Sequence, residues 1–148
     1  MQIGEADAAE YRVIRLRALR TSPDAFGAVH DVAAARPIES HIERLSTSRA
    51  FGAFSDGDII GLAGFKQEAG PKDAHKGFVW GVFVEPGMRG RGTGAALMRA
   101  LLDDAAGIVE QLTLAVVTDH HAAIALYTKF GFIPYGTEPR ALKANGVY

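Results

Sequence analysis

One stretch, Phe78 to Leu102, limits what this chain can fold into more than any other: FVWGVFVEP, then GMRGRGTG, then AALMRALL. Phe78 to Val84 are apolar or Gly and rich in β-branched and aromatic types, and Pro86-Gly87 ends the run, so it reads as a buried strand closing in a turn. Beyond the turn, Ala95, Leu97, Met98, Leu101 and Leu102 recur at spacings of three and four, which predicts a helix with one apolar face. The strand therefore delivers a glycine-rich loop onto a helix start. A helix start carries unpaired N–H groups and the positive end of the dipole, and both favour an anion. Gly90, Gly92 and Gly94 clear side chains from the loop, while Arg89 and Arg91 add cationic donors with fork geometry. A pyrophosphate suits such a loop, whereas a purely structural turn needs neither arginine.

Spacing separates the phosphate-binding alternatives. No Lys follows the glycines, so the loop is not the GxxxxGK[ST] type. Gly90, Gly92 and Ala95 meet GxGxxG/A loosely, and Glu110 lies where a ribose-binding acid of a dinucleotide site is sought. Against an NAD site, the preceding segments look like antiparallel hairpins, and the chain is short for two nucleotide-binding halves. R-x-x-G-x-G/A, carried by Arg89, Gly92 and Gly94 directly after the strand end, fits better. It resembles the coenzyme A pyrophosphate loop of the GNAT (Gcn5-related) N-acetyltransferase superfamily. A second segment, Asp119 to Phe132 (DHHAAIALYTKFGF), is similar to that family's A-x-x-L-Y-x-K-x-G-F, with Ala123, Leu126, Tyr127, Lys129, Gly131 and Phe132 in the matching positions.

The bounds agree with one soluble domain over residues 1–148, long enough for a core without staples. With 16 basic and 17 acidic residues, no global charge points to nucleic acid or an anionic membrane. Cysteine is absent, which excludes disulfides and a thiolate nucleophile. No apolar run approaches a membrane span and no signal pattern opens the chain, so a cytoplasmic location is expected.

Along the chain, Met1 to Ile3 is a short edge strand. A helix is expected from Asp7, capped with Glu10, to about Ser22-Pro23, with Arg12, Arg15, Arg17 and Arg20 as a solvated face. The next 15 or so residues have weak periodicity and read as a mobile cover, and a second helix is expected from Pro37 to about Ser46. Ala50–Ser55 and Asp58–Glu68 flank Asp56-Gly57 as a hairpin. The central strand follows at about His75 to Glu85. Leu112 to Val117 reads as a strand parallel to it, since a helix intervenes. Ala122 to Phe130 is a helix ended by Gly131, with a strand expected from Phe132 to Tyr135. Asn145-Gly146 marks a turn with only Val147 and Tyr148 after it, so the family's last strand is missing, truncated or supplied differently. The fold class is α/β, a mixed, mainly antiparallel sheet flanked by helices. A homodimer covering the open edge is one arrangement left open.

What the resemblance implies is an acetyl-CoA-dependent N-acetyltransferase, or a non-catalytic acyl-CoA-binding module of the same fold. The pantetheine arm would lie along the backbone of Val82, Phe83 and Val84, with one N–H on the thioester carbonyl. The pyrophosphate would sit on Arg89, Gly90, Arg91, Gly92, Thr93 and Gly94. Tyr127 matches the family's general acid, since a phenol is protonated at neutral pH. His120 takes the place of a frequent Asn beside the cofactor. The family's strand Glu is here Phe78, so no base is assigned, and Glu85 reads as a surface residue. The acceptor is a primary amine of a small molecule or peptide, drawing on the first 50 residues. No metal is expected: adjacent His120 and His121 would diverge on a helix, and His30, His41 and His75 have no ligand spacing. Trp80 reads as core.

Overall fold

The computed structural model describes residues 1–148. Its first unit, Met1–Ala115, is built on a five-stranded sheet in the order β1 (Gln2–Ile3), β2 (Arg49–Ser55), β3 (Asp58–Gln67), β4 (Lys76–Val84) and β5 (Gln111–Thr113). The first three pairings are antiparallel and the last is parallel, so the mixed, mainly antiparallel sheet is as expected. Asp56 and Gly57 have φ of 51° and 84°, the positive values that a two-residue hairpin turn requires. They set the register of β2 on β3.

Helices cover both faces. Adjacent strand residues point to opposite sides. Leu62 joins Tyr11, Ile14 and Ala18 of α1 (Ala8–Thr21) in one cluster with Leu45, Trp80 and Phe83. Gly61, one residue earlier, faces α4 (Thr93–Ala105): a Cβ there would stand 2.9 Å from Leu97 Cδ1. A side chain at Gly61 would therefore hold α4 off the sheet. Leu97, Met98 and Leu101 are the buried face of α4, the stripe that its spacing predicts. Arg49 at the start of β2 grips Asp104 in the last turn of α4 through Nε and Nη2, tying sheet to helix. Trp80 is core, 7% exposed, with Tyr11 edge-on to it at 6.0 Å.

Several expectations change. Asp7 is the N-cap residue of α1 as expected, but its side chain makes no cap bond to the helix; it closes the preceding 3₁₀ turn, Glu5–Asp7, by accepting from the Gly4 N–H at 3.0 Å. Of the α1 arginines, Arg17 and Arg20 are exposed as expected while Arg12 and Arg15 are half-buried, and all four have partners in the fold. Arg12 Nη2 donates to the Ala34 carbonyl at 3.1 Å, Arg15 lies over the Phe26 ring, Arg17 pairs with Glu85 at 2.7 Å, and Arg20 meets His30 at 3.2 Å. Two of these contacts fix α2 (His30–Ala34), a short helix in the segment expected to be irregular. α3 runs Ile38–Thr47, with Pro37 as its N-cap. β5 ends at Thr113, well short of Val117, because its pairing with β4 stops there.

In the second unit, Val116–Tyr148, α5 (His121–Lys129) ends as its sequence predicts. Gly131 has φ 91°, and the Gly131 and Phe132 N–H groups donate to the Thr128 and Tyr127 carbonyls at 3.0 and 3.1 Å, a glycine-closed helix end. The strand expected over Phe132–Tyr135 does not form. Pro134 lacks an N–H, and Ile133 and Tyr135 are 83% and 89% exposed, so no sheet face is present to bury them. Asn145 and Gly146 do turn the chain, inside an isolated Ala144–Val147 bridge. No helix is long and apolar enough to cross a membrane.

Candidate functional site

The C-terminal half of β4 parts from β5. Only Lys76, Gly77 and Phe78 pair with Gln111, Leu112 and Thr113. The cause lies one turn of pleat further on. Leu62 pairs with Phe83 but Gly64 with Trp80, so Gly81 and Val82 together oppose Ala63. This is a β-bulge, and Gly81 takes φ 67° to make it. The bulge fixes which amides face which edge. Glu85 N–H donates to the Ile60 carbonyl at 2.8 Å, so Glu85 and, two residues back, Phe83 turn their peptide groups to β3. Val82 and Val84 therefore turn theirs to the edge that β5 has left.

This refines the expectation for Val82, Phe83 and Val84. Phe83 contributes nothing to the open edge: its peptide faces Leu62 and its ring is buried, 5% exposed. The Val84 carbonyl is already engaged, accepting from Arg89 Nε at 2.8 Å. What faces outward is both peptide groups of Val82 and the N–H of Val84, which is enough to receive an extended amide chain.

Arg89 is folded back on its own strand, its guanidinium 5.7 Å from the Phe83 ring centroid. It closes the turn through Pro86–Met88 and leaves its Nη groups free of protein partners. Gly90 and Gly92 both have positive φ, 78° and 79°, and a Cβ at either would meet nothing within 4 Å. The glycines are thus required by the backbone and stand beside open space. Gly92 is the N-cap of α4 without a side-chain cap, and the first intrahelical bond is Ala96 N–H to the Gly92 carbonyl at 3.0 Å. The N–H groups of Thr93, Gly94 and Ala95 precede it and have no helical partner. Arg91 is exposed beside them. Loop, free amides and two arginines together make an anion cradle.

In the second unit, Tyr127 lies on α5 with its ring edge-on to Phe132, 5.9 Å between centroids. Burial pushes its phenol up to about 12, so it stays protonated throughout the neutral range. His120 stands at the N-cap of α5, where its carbonyl accepts from Ile124 N–H at 3.1 Å and its side chain makes no cap bond. No carboxylate replaces the absent strand acid. Phe78 is 40% exposed, and Glu85 is held in its ion pair with Arg17. The bulge and this ion pair escape a reading by motif alone, although an isolated Gly inside a strand, as at Gly81, is itself a bulge signal.

The sequence model described as the acetyltransferase (GNAT) family matches residues 14–132. The chain belongs to the GNAT family. Its relatives include the N-alpha-acetyltransferase RimI of Mycobacterium tuberculosis, 39% identical over 95 residues, which are 64% of this chain and 58% of that protein. The L-amino acid N-acetyltransferase AaaT of Escherichia coli is 32% identical over 95 residues, 63% of this chain and 58% of that one. The match thus spans little more than half the length of either relative. Among solved structures, yncA of Salmonella typhimurium, described as a putative acetyltransferase with its cofactor acetyl-CoA, superposes with a TM-score of 0.83. It is 19% identical, and the match covers 99% of this chain and 85% of that one. At that identity the likeness speaks for the GNAT fold.

Proposed function

We propose that this GNAT chain is an acetyl-CoA-dependent N-acetyltransferase that moves the acetyl group directly to a primary amine of a small molecule or peptide. The observation that carries the reading is the open edge of β4 at Val82 and Val84, running without interruption into the anion cradle at the start of α4. A pantetheine amide chain and a pyrophosphate, joined in one molecule, ask for those two features in that order. The names of RimI and AaaT agree with amine acetylation, and the cytoplasm is the proposed setting.

Acetyl-CoA, when bound, supplies a thioester carbonyl as electrophile. Val82 and Val84 N–H groups orient the arm, and one of them donates to the carbonyl oxygen as negative charge gathers there. Arg89, Arg91 and the α4 amides hold the pyrophosphate, with Gly90 and Gly92 permitting close approach. The neutral amine attacks, the C–N bond forms and the C–S bond breaks. By its match to the family's motif, Tyr127 is the candidate to give its proton to the departing sulfur, and the amine's surplus proton leaves through water, for which His120 is the candidate relay on the same ground.

The test is calorimetric titration of wild type and Gly92→Asp with acetyl-CoA, with NAD as the comparison. Gly92 has φ 79°, so Asp there carries about 1–2 kcal/mol of backbone strain, which thermal unfolding of the two proteins reads separately, while its carboxylate is set where the pyrophosphate belongs. Wild type is expected to bind acetyl-CoA and not NAD, and the variant to bind at least about tenfold more weakly. Equal affinity in the two proteins would remove the cradle from the site. Phe78 in place of an acid favours the second reading, a non-catalytic acyl-CoA-binding module. Thiol release from acetyl-CoA with an amine panel decides between them. The chain has no cysteine to add background.

A further inference from the structure

The second feature of the first unit is a half-open cationic cavity lined by α1, the loop before α2, α2, α3 and Lys66 of β3. Its volume is about 440 Å³, within the span that suits small-molecule sites. Arg15, Arg36, Arg44 and Lys66 line it, against a single acid, Glu43, which is exposed. The cavity's inner wall contains Tyr11 and His41, 3% and 5% exposed. Two polar atoms in that wall have no partner: His41 Nε2 and Arg15 Nη1 are both buried and make no hydrogen bond. Buried polar groups left unpaired are rare and costly in a folded protein. Here two occur among the residues that line one mainly cationic cavity.

The surroundings orient these groups without satisfying them. Arg15 lies over the Phe26 ring at 5.4 Å, and Arg44 over the Trp80 ring at 4.3 Å. Ring faces hold a guanidinium by its plane and leave its N–H edge free, the edge that matches a carboxylate. No carboxylate of the protein answers them. The His41 imidazole pKa is lowered first by burial and then by Arg12, Arg36 and Arg15; the Arg15 guanidinium pKa is lowered by burial, with Tyr11 acting the other way and Arg44 and Arg36 adding to the lowering. The cavity also has a definite address on the sheet. Arg15 Nη1 stands 3.7 Å from where a Cβ of residue 81 would be, so it reaches the β4 bulge immediately before Val82. The bulge that turns the strand edge outward and the Arg15 guanidinium thus lie beside one another.

We propose that this cavity anchors a carboxylate of the acceptor through Arg15, Arg36 and Arg44, so that the substrate is a small amino acid, amine and carboxylate in one molecule. This rests on the N-acetyltransferase reading and narrows its acceptor. A polyamine or an aminoglycoside would add positive charge to a cavity that already has too much. An amino acid brings the missing anion and places its amine within a few bonds of it, on the side of β4 where Val82 begins the open edge.

The experiment uses matched pairs, each L-amino acid against its own carboxamide, which keeps the amine and the side chain and removes the negative charge. Thiol release from acetyl-CoA is expected to show kcat/KM higher for the acid by roughly tenfold to a hundredfold, the worth of hydrogen bonds to a charged group. Arg36→Gln and Arg44→Gln, both at exposed positions, are expected to bring the acid-to-amide ratio towards one, through KM and without loss of acetyl-CoA binding. N-acetyl amino acids, titrated by calorimetry into the chain alone, are expected to bind to wild type and to lose affinity in either variant. Amides turned over as well as acids, or N-acetyl amino acids that fail to bind, would overturn the carboxylate anchor while leaving acetyl transfer in place. Failure of acetyl-CoA to bind, with N-acetyl amino acids still held, would instead overturn the transferase reading and keep the anchor.

Discussion

Gly81 is the residue at which the backbone argument can be tested most directly. Its φ of 67° lies in the left-handed region, yet a Cβ there would meet Leu62 Cδ2 at 3.6 Å and Arg15 Nη1 at 3.7 Å, which is ordinary contact. A methyl group therefore fits, and the cost of Gly81→Ala is conformational. An L-residue in the left-handed region costs about 1–2 kcal/mol. The less flexible unfolded chain returns about 0.4–1 kcal/mol, so the net loss is about 1 kcal/mol. For a chain of this size that lowers Tm by roughly 3–5 °C. Gly87→Ala is the control: its φ is not positive and its Cβ would meet nothing within 4 Å, so Tm should hold or rise slightly. Gly81→Val adds two methyls to the same strained backbone, pressing on Leu62 or Arg15. The chain then escapes only by ironing out the bulge. That slip turns the Phe83 ring out of the core and sends the Val82 and Val84 amides to the wrong edge, so acetyl-CoA binding is expected to vanish. Thermal unfolding and calorimetry on the three variants check this. A Gly81→Ala protein as stable as Gly87→Ala, or a Gly81→Val protein that binds acetyl-CoA like wild type, would refute the role assigned to the bulge.

Two further outcomes follow from titrating groups. His41 has its imidazole pKa lowered in the fold, so the unfolded chain binds the proton more readily; the associated stability is present above the usual value near 6.5 and falls as the pH drops below it. Urea midpoints measured from pH 8 down to about 5 should decline, and His41→Gln should flatten that slope; an unchanged slope would show that the acid sensitivity arises elsewhere. Tyr127 shifts the other way: its folded value of about 12 exceeds the usual 10.0, so the linked stability is complete below pH 10 and is lost between pH 10 and about 12. Ultraviolet titration of wild type minus Tyr127→Phe should show the phenol ionising only near the top of that window. The same substitution should lower kcat by roughly 10²–10⁴ if the phenol is the acid, with acetyl-CoA affinity kept.

The elements that sequence reading reaches are those whose determinants are local. Asp56-Gly57 writes its own turn, since the two residues that tolerate positive φ stand where the hairpin needs them. The stripe Leu97, Met98 and Leu101 reports the buried face of α4 without reference to the rest of the chain. The closing Gly131 likewise predicts the end of α5. The strand expected after it shows the limit of local propensity: Phe132 to Tyr135 is aromatic and apolar, as strands are, but a strand forms only where a partner edge receives it.

The arginines of α1 show the same limit from the side of function. Four cations spaced along a helix look alike in sequence, and solvation is the natural expectation for each. Their fates are set by what the fold brings opposite them: the Ala34 carbonyl for Arg12, the Phe26 ring for Arg15, Glu85 for Arg17 and His30 for Arg20. The partner of Arg17 is 68 residues away, beyond any periodicity. Arg15 differs from its neighbours because its surroundings bury it and supply a ring, but no anion. That deficit is invisible in composition, where 16 basic residues nearly balance 17 acidic ones, and it exists only because folding sorts the charges. The cofactor loop repeats as a motif because the cofactor is constant. A cavity lined by side chains from three helices, the loop before α2 and Lys66 of β3 is legible only once those elements are in place.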